Sequence, residues 1–201
     1  MIAFKAFICS RIGVSDEMWR LLEESIETVH FKKGDRIMFK DDIWTDIMYI
    51  NSGLIRSYII NDKGKDFTRQ FYFNTSESRT ANLFVLDLTS MLTQTPSNRG
   101  FEVLAESEVL RFSREKLFSL YEKYKTWEHI GRLMAEFAYI DMDTFYYALL
   151  TKTPKERYLE LQKSMSGLMT QVQQYHIASY LGITPVTLSR IRRELKTYEK
   201  E

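Results

Sequence analysis

The stretch QQYHIASYLGITPVTLSRIRREL, Gln173 to Leu195, sets a Gly-Ile-Thr-Pro break between two segments of helical apolar period, and few backbones accommodate it. Gly182 takes positive φ at low cost, Thr184 is a natural N-cap, and Pro185 at the first helical position pre-sets φ for the residues that follow. Ala178, four residues before the glycine, is small enough to let a second helix approach. Ile177, Leu181, Ile183, Leu188 and Ile191 fall where two inner faces would meet. The expectation is two helices crossing steeply over a tight turn, a helix-turn-helix.

With about 100° per residue and Leu188, Ile191 and Leu195 turned inward, the opposite face of the second helix carries Val186, Ser189, Arg190 and Arg193. Such a face suits a DNA major groove. Arg190 is placed to bond guanine O6 and N7 together, and Val186 to touch a thymine methyl. Thr184 and Thr187 flank the helix start, where phosphate oxygens are favoured. Gln173, Gln174 and Tyr175 open the first helix and are expected to hydrogen-bond the DNA backbone across the groove. Arg192 projects toward the core side and is assigned to a phosphate or an intramolecular acid. The bland alternative is an ordinary helical hairpin with a basic end.

Charge distribution bears on this choice. From Lys152 onward there are nine Lys/Arg against five acids, a local charge of +4 in a chain whose net charge is +1. The positive potential a polyanion needs is thus concentrated in the last quarter.

The earlier sequence changes period twice. Val14 to Trp19 reads as a helix start, with Ser15 as N-cap. From Thr28 to Phe73, short β-branched and aromatic runs (VHFKKGDRIMF, DIMYINSGLIRSYII, DFTRQFYF) are punctuated by Lys33-Gly34-Asp35, Asn51-Ser52-Gly53 and Asn61-Asp62-Lys63-Gly64, each read as a turn. That pattern predicts an antiparallel sandwich or barrel. Asn74 to Gly100 is expected to hold a loop and a short helix, FEVLAESEVLRFS a further strand, and Ser113 the cap of a helix. From Tyr121 to about Thr151 no proline intervenes, which predicts a long helix, and its apolar residues cover too much circumference for one neighbour. One face is expected against its own barrel and one against a copy of itself, the alternative being a core helix of a single domain. Thr153 and Pro154 then start a fresh helix. The division expected is a jelly-roll sensor domain at 1–118, a long dimerisation helix at 119–151 and a helix-turn-helix domain at 152–201, an α+β chain. Only six residues follow Leu195, too few for a trailing β-wing.

Several classes are disfavoured. No run of about 18 apolar residues is present and the start lacks signal-peptide features, so no membrane association and a cytoplasmic location are expected. Cys9 is the only cysteine, read as an unremarkable thiol near a mobile terminus, and His30, His129 and His176 are scattered. No disulfide, metal site or cofactor is expected, and the clustered histidines and carboxylates of a cupin-type metalloenzyme are missing. The chain is not expected to be an enzyme.

In this order, KKGDRIMFKDD, DIMYINSGLIRSYIINDKGKDF, FEVLAESEVLRFS and ASYLGITPVTLSRIRREL together resemble the CRP/FNR family of bacterial transcription regulators over nearly the whole chain. The resemblance implies a cyclic-nucleotide-binding-type jelly roll, a homodimer through the long helix, and a two-fold-related double-stranded DNA site with half-sites about one helical turn apart. It also implies RNA polymerase as a partner, and Arg190 as a base-contacting residue. Where the family's cyclic-AMP-binding members have an Arg-Ser/Thr-Ala run that holds the phosphate, this chain has Arg99-Gly100-Phe101, so Arg99 is the candidate effector-pocket residue. The Gly-Glu pair that contacts the ribose falls near Leu88-Thr89, without an acid, and Arg79-Thr80-Ala81 is read as a chance likeness. No tight cyclic-AMP binding is therefore expected, and any effector is unidentified. The single cysteine speaks against an iron-sulfur sensor. Pro185 and Val186 stand where cyclic-AMP-binding members carry Arg and Glu, so a known operator does not transfer. The leading expectation is a homodimeric, sequence-specific DNA-binding regulator. The second is a small-molecule-binding module whose helical tail makes protein contacts.

Overall fold

The computed structural model describes residues 2–198 apart from Ile12, Phe39, Lys40 and Ser166. Its centre is a pair of 15-residue antiparallel strands, β3 (Asp46–Ile60) and β6 (Arg99–Ser113). Strands β1 (Glu27–Phe31) and β2 (Arg36–Met38) pair with β6. Strand β4 (Asp66–Tyr72) and the short β5 (Phe84–Val85) pair with β3, so the path runs β1-β6-β3-β4. All pairings are antiparallel, and with the helices that follow this is the expected α+β β-roll architecture.

Two of the three expected turns are present, and local chemistry explains both. Gly34 (φ 93°) turns the chain between β1 and β2. Asn61 closes the β3–β4 hairpin by accepting from the Lys63 and Lys65 amides at 3.1 and 2.9 Å, and Gly64 sits at φ 73°. Asn51-Ser52-Gly53 is no turn. Strand β3 runs straight through it, the register with β6 shifting on either side of Ser52, and Gly53 takes φ 98° as a bulge residue. A glycine in a strand signals a bulge as readily as a turn, and the apolar runs on both sides continue one strand.

The first residues also depart from expectation. They form a helix, α1 (Ile2–Arg11), whose Phe4 and Ile8 are almost fully buried, and Cys9 is half-buried within it. Phe4 packs edge-on to Trp19 of α2 (Asp16–Glu23) with ring centres 5.6 Å apart, and lies 4.7 Å from the Tyr49 ring. Ser15 caps α2, accepting from the Met18 amide at 3.2 Å. The terminus is fixed because Phe4 and Ile8 lie one turn apart on a single face and close the end of the roll.

Between β4 and β6 stand two short helices, α3 (Thr80–Leu83) and α4 (Leu88–Thr93), rather than one. Ser113 caps α5 (Arg114–Lys123) as expected, with the Lys116 amide at 3.1 Å. Tyr124, in extended conformation, separates α5 from the long α6 (Lys125–Thr151), so the long helix begins later than Tyr121. Thr153 and Glu156 form a capping box at the start of α7 (Pro154–Ser164), and hydrogen bonds from the Thr153 backbone and hydroxyl hold the Glu156 carboxyl below its usual pKa. A 3-10 turn (Met169–Gln171) leads to α8 (Gln174–Tyr180) and α9 (Pro185–Tyr198). Whether a β-wing follows concerns residues beyond Tyr198, which lie outside the described residues.

Two apolar clusters organise the chain. One fills the roll and takes in α1, α2, α5 and the start of α6 through Trp127 and Ile130. The second joins outward residues of the roll, Leu54, Phe71, Phe73 and Leu104, to Tyr158, Leu161, Met165, Ile177, Leu188 and Ile191 of the helical region.

The bulge glycine gives a direct test. A Cβ on Gly53 would lie 2.4 Å from the Glu106 carbonyl oxygen, whereas one on Gly64 meets nothing within 4 Å. Both positions carry the left-handed backbone cost of about 1–2 kcal/mol, but only Gly53 adds a clash with backbone. Gly53→Ala is expected to lower the urea midpoint clearly more than Gly64→Ala; equal shifts would refute the bulge geometry.

Candidate nucleic-acid interface

The turn between α8 and α9 is built as the sequence requires. Gly182 adopts φ 68° with open space around it, so it is needed for its backbone freedom and not for its size. Its amide bonds the Ser179 carbonyl at 3.1 Å and the Ile183 amide bonds the Ala178 carbonyl at 2.9 Å, closing the turn. Ala178 and Leu188 are fully buried where the helices meet. Thr184 caps α9 by accepting from the Thr187 amide at 3.2 Å, and the two hydroxyls lie 3.0 Å apart.

Leu188 and Ile191 face inward, and Val186, Ser189, Arg190 and Arg193 are exposed together on the opposite side. Val186 is 79% exposed, a large value for a β-branched apolar side chain on an ordered helix. Thr187 is half-buried beside Thr184, and Arg192 is half-buried on the flank, as the helical wheel required. Arg190 makes no hydrogen bond or ion pair with a described residue. Gln173 and Gln174 are exposed at the α8 N-terminus, and Gln173 leaves that end without a side-chain cap.

Tyr175, expected to bond the DNA backbone beside them, has its hydroxyl committed within the chain. Its hydroxyl donates to the Asp66 carbonyl of β4 at 2.9 Å. One turn on, the Ser179 hydroxyl accepts from the Thr68 amide at 2.8 Å and lies 3.4 Å from the same Asp66 carbonyl. The first helix therefore docks on the free edge of the sheet through side chains that helical spacing places on one face. Sequence reading assigned Tyr175 outward because nothing local marks a contact that spans 109 residues.

Beneath this contact lies a buried ionic cluster that the sequence did not reveal. Arg56 of β3, 3% exposed, donates from Nε to Glu102 at 2.8 Å and from Nη1 to Asp66 at 2.9 Å and Thr68 at 3.1 Å. Its guanidinium also stands 4.5 Å from the Tyr58 ring centre. Burial disfavours the charged form, yet the bonds to Asp66 and Glu102 raise its pKa above the ordinary value. His176 of α8 is buried beside this cluster with Nδ1 unpartnered. Burial first, and then the Arg56 charge, lower its pKa below 6.5, against the weaker pull of Asp66 and Glu102.

A second strut, also unforeseen, comes from Arg157 of α7. It donates to the Leu149 and Lys152 carbonyls at 3.2 and 2.7 Å, and to the Leu181 carbonyl at 3.0 Å. The end of α6 and the end of α8 are thereby held by one side chain.

Arg99 stands apart from this interface, at the start of β6, with Nη1 3.4 Å from Asp87. Asp87, absent from the sequence reading, is a buried carboxylate one residue before the Leu88-Thr89 position. It caps α4 through the Thr89 and Ser90 amides and accepts from the Ser97 hydroxyl at 2.7 Å. Arg79 begins α3 and is exposed. Among the described residues no group of three or more His, Cys, Asp or Glu side chains could hold a metal ion, and no helix is long and apolar enough to cross a membrane.

His176 should make the docked arrangement sensitive to acid. The unfolded imidazole takes up a proton near pH 6.5 while the folded one resists it, so stability is full above that pH and declines as pH falls toward the folded value. Urea unfolding of the whole chain between pH 7.5 and 5.5 is expected to show a steeper loss in the native protein than in His176→Gln. Parallel curves would exclude His176 as the source.

No protein-family model matches the sequence, and no curated protein matches it. Solved structures do resemble the fold. FixK2 from Bradyrhizobium japonicum superposes with a TM-score of 0.69 at 17% identity, over 87% of this chain and 86% of that one. A chain from Eubacterium rectale described as a transcriptional regulator of the CRP/FNR family gives 0.70 at 15% identity, over 92% and 85%. The c-di-GMP-responsive global regulator CLP of Xanthomonas campestris gives 0.66 at 11% identity, over 92% and 93%. A β-roll, a long helix and a helix-turn-helix in this order give the chain the fold of the CRP/FNR-type transcription regulators.

Proposed function

We propose that the protein is a sequence-specific DNA-binding transcription regulator that acts as a homodimer and does not respond to cyclic AMP. The observation that carries the DNA reading is the outer face of α9. Val186, Ser189, Arg190 and Arg193 are exposed together on a helix whose entry turn is closed and whose inner face is buried. Arg190 reads a base edge, Thr187 and Gln174 contact the backbone, and the +4 charge of the region draws the polyanion.

Dimerisation is supported by the second half of α6. Tyr139, Ile140, Met142, Tyr146, Tyr147 and Leu150 are all more than half exposed, an apolar surface too extensive for a solvated helix. A second copy of α6 would cover it and bring two recognition helices into two-fold relation. The cyclic-AMP reading is supported by Phe101, fully buried between the rings of Trp44 at 4.6 Å and Tyr72 at 5.9 Å, where the resemblance calls for a small residue. RNA polymerase is the partner through which such a regulator acts.

Three outcomes test this. Arg190→Ala is expected to weaken specific operator binding by about 1–3 kcal/mol, and Thr187→Val to weaken specific and random DNA more evenly, in titrations at fixed salt. Native-like shifts by both variants would remove α9 from the groove. Affinity that does not fall with rising salt would favour the protein-contact reading of the tail instead. Ile140→Glu is expected to turn a dimer into a monomer in sedimentation without unfolding it, and a native protein that sediments as a monomer would exclude the α6 pairing.

A further inference from the structure

The β3–β4 hairpin carries its turn past the end of α8 that bears Gln173 and Gln174. Contacts along β4 fix this direction. Tyr175 donates to the Asp66 carbonyl at 2.9 Å, Ser179 accepts from the Thr68 amide at 2.8 Å, and the Tyr180 ring lies 5.2 Å from that of Phe71. Successive residues of α8 thus meet successive residues of β4, and the two elements run side by side in the same direction. Followed backwards from Asp66, the chain leads through Lys65 and Gly64 to Lys63, beyond the α8 N-terminus where Gln173 and Gln174 are exposed. At a rise of about 3.3 Å per residue, Lys63 reaches at most ~10 Å past Asp66.

The turn holds these two lysines outward. The Asn61 side chain accepts from their amides, and the Asn61 amide donates to the Lys65 carbonyl at 3.0 Å, so the backbone is closed within the turn itself. Residues 61–65 are all exposed, and neither ammonium forms an ion pair with a described residue. Lys65 stands 4.9 Å from the centre of the Phe67 ring, on the same side of the strand. The acid of β4 does not neutralise them, because both oxygens of Asp66 turn inward to Arg56. Asp62 alone offsets the pair, which leaves the five-residue turn at +1. Two solvated ammoniums add little to folding stability, whereas each one set against a phosphate releases a condensed counterion and strengthens binding.

We propose that the hairpin turn is a second DNA-contacting element, in which Lys63 and Lys65 bind phosphates beyond those that Gln174 contacts. This extends the DNA reading of α9 and rests on it. Duplex DNA is the occupant because the turn continues the exposed edge of Gln173 and Gln174, and its charge complements phosphate. The contact carries no sequence information of its own; it adds affinity and fixes how the protein sits on the duplex. A dimer would contribute the pair twice. The lysines belong to the roll and not to the helical region, so they reach the DNA only while α8 stays docked on β4, and affinity is thereby tied to that docking.

The test uses the full chain and a duplex selected from random sequence on the native protein. Lys63→Gln with Lys65→Gln is expected to weaken binding at least about tenfold at low salt and to make the salt dependence shallower by up to ~3.6, or ~0.9 for each of the four lysines of a dimer. A matched control, Lys116→Gln with Lys123→Gln, removes the same charge from α5, which starts at the Asp46 end of β3, opposite the hairpin, and is expected to keep the native slope. Ethylation interference then separates contact from a general field. Phosphates whose ethylation blocks the native protein are expected to become indifferent in the hairpin variant, at the same place in both half-sites. A hairpin variant that matches the control in slope, or that loses affinity with an unchanged interference pattern, would overturn the hairpin contact and leave the α9 reading standing. A native protein for which no duplex can be selected would remove both.

Discussion

The arrangement depends on one shared apolar contact, in which outward residues of the β-roll complete the core of the helical region. Leu54, Phe71, Phe73 and Leu104 fill the space under α7, α8 and α9, where Tyr158, Leu161, Met165, Ile177 and Leu188 are buried. A segment this short has little interior of its own. Each fully buried apolar side chain contributes about 1.5–3 kcal/mol, against about 1 kcal/mol for a typical hydrogen bond. The cluster therefore supplies most of the docking energy. The bonds from Tyr175 and Ser179 to β4, and the three carbonyls held by Arg157, set its register.

The buried Arg56 cluster works differently. An ion pair out of water recovers its desolvation cost only with good geometry and full bonding, and Arg56 has both through Asp66, Glu102 and Thr68. It gathers side chains from β3, β4 and β6 beside α8, and it holds in place the same Asp66 whose carbonyl receives Tyr175. Its contribution is to orientation more than to net stability.

What was legible in the sequence is what local chemistry decides. The Asn61–Gly64 hairpin, the caps at Ser15, Ser113, Thr153 and Thr184, and the Ala178–Gly182 turn each follow from a few neighbouring residues, and so does the outward set on α9. What was missed is nonlocal. Gly53 reads as a turn until its pairing with β6 is known, and Phe4 and Ile8 form too short a pattern to announce a docked helix. Arg157 and Tyr175 owe their roles to partners brought close only by folding, and no spacing rule connects them.

Strand β4 ends the sheet, and an outermost strand ordinarily offers unpaired amides and carbonyls to any extended chain. Here the outer side is taken. Ser179 and Tyr175 cover Thr68 and Asp66, and α3 covers the rest through Asn82 at the Phe71 carbonyl and the Phe73 amide. The helical region thus also shields the roll from strand-to-strand aggregation. Cut away near residue 152, the roll would bare the Asp66–Thr68 part of that edge beside the exposed faces of Leu54, Phe71, Phe73 and Leu104, and its solubility is in this sense borrowed from the helical region.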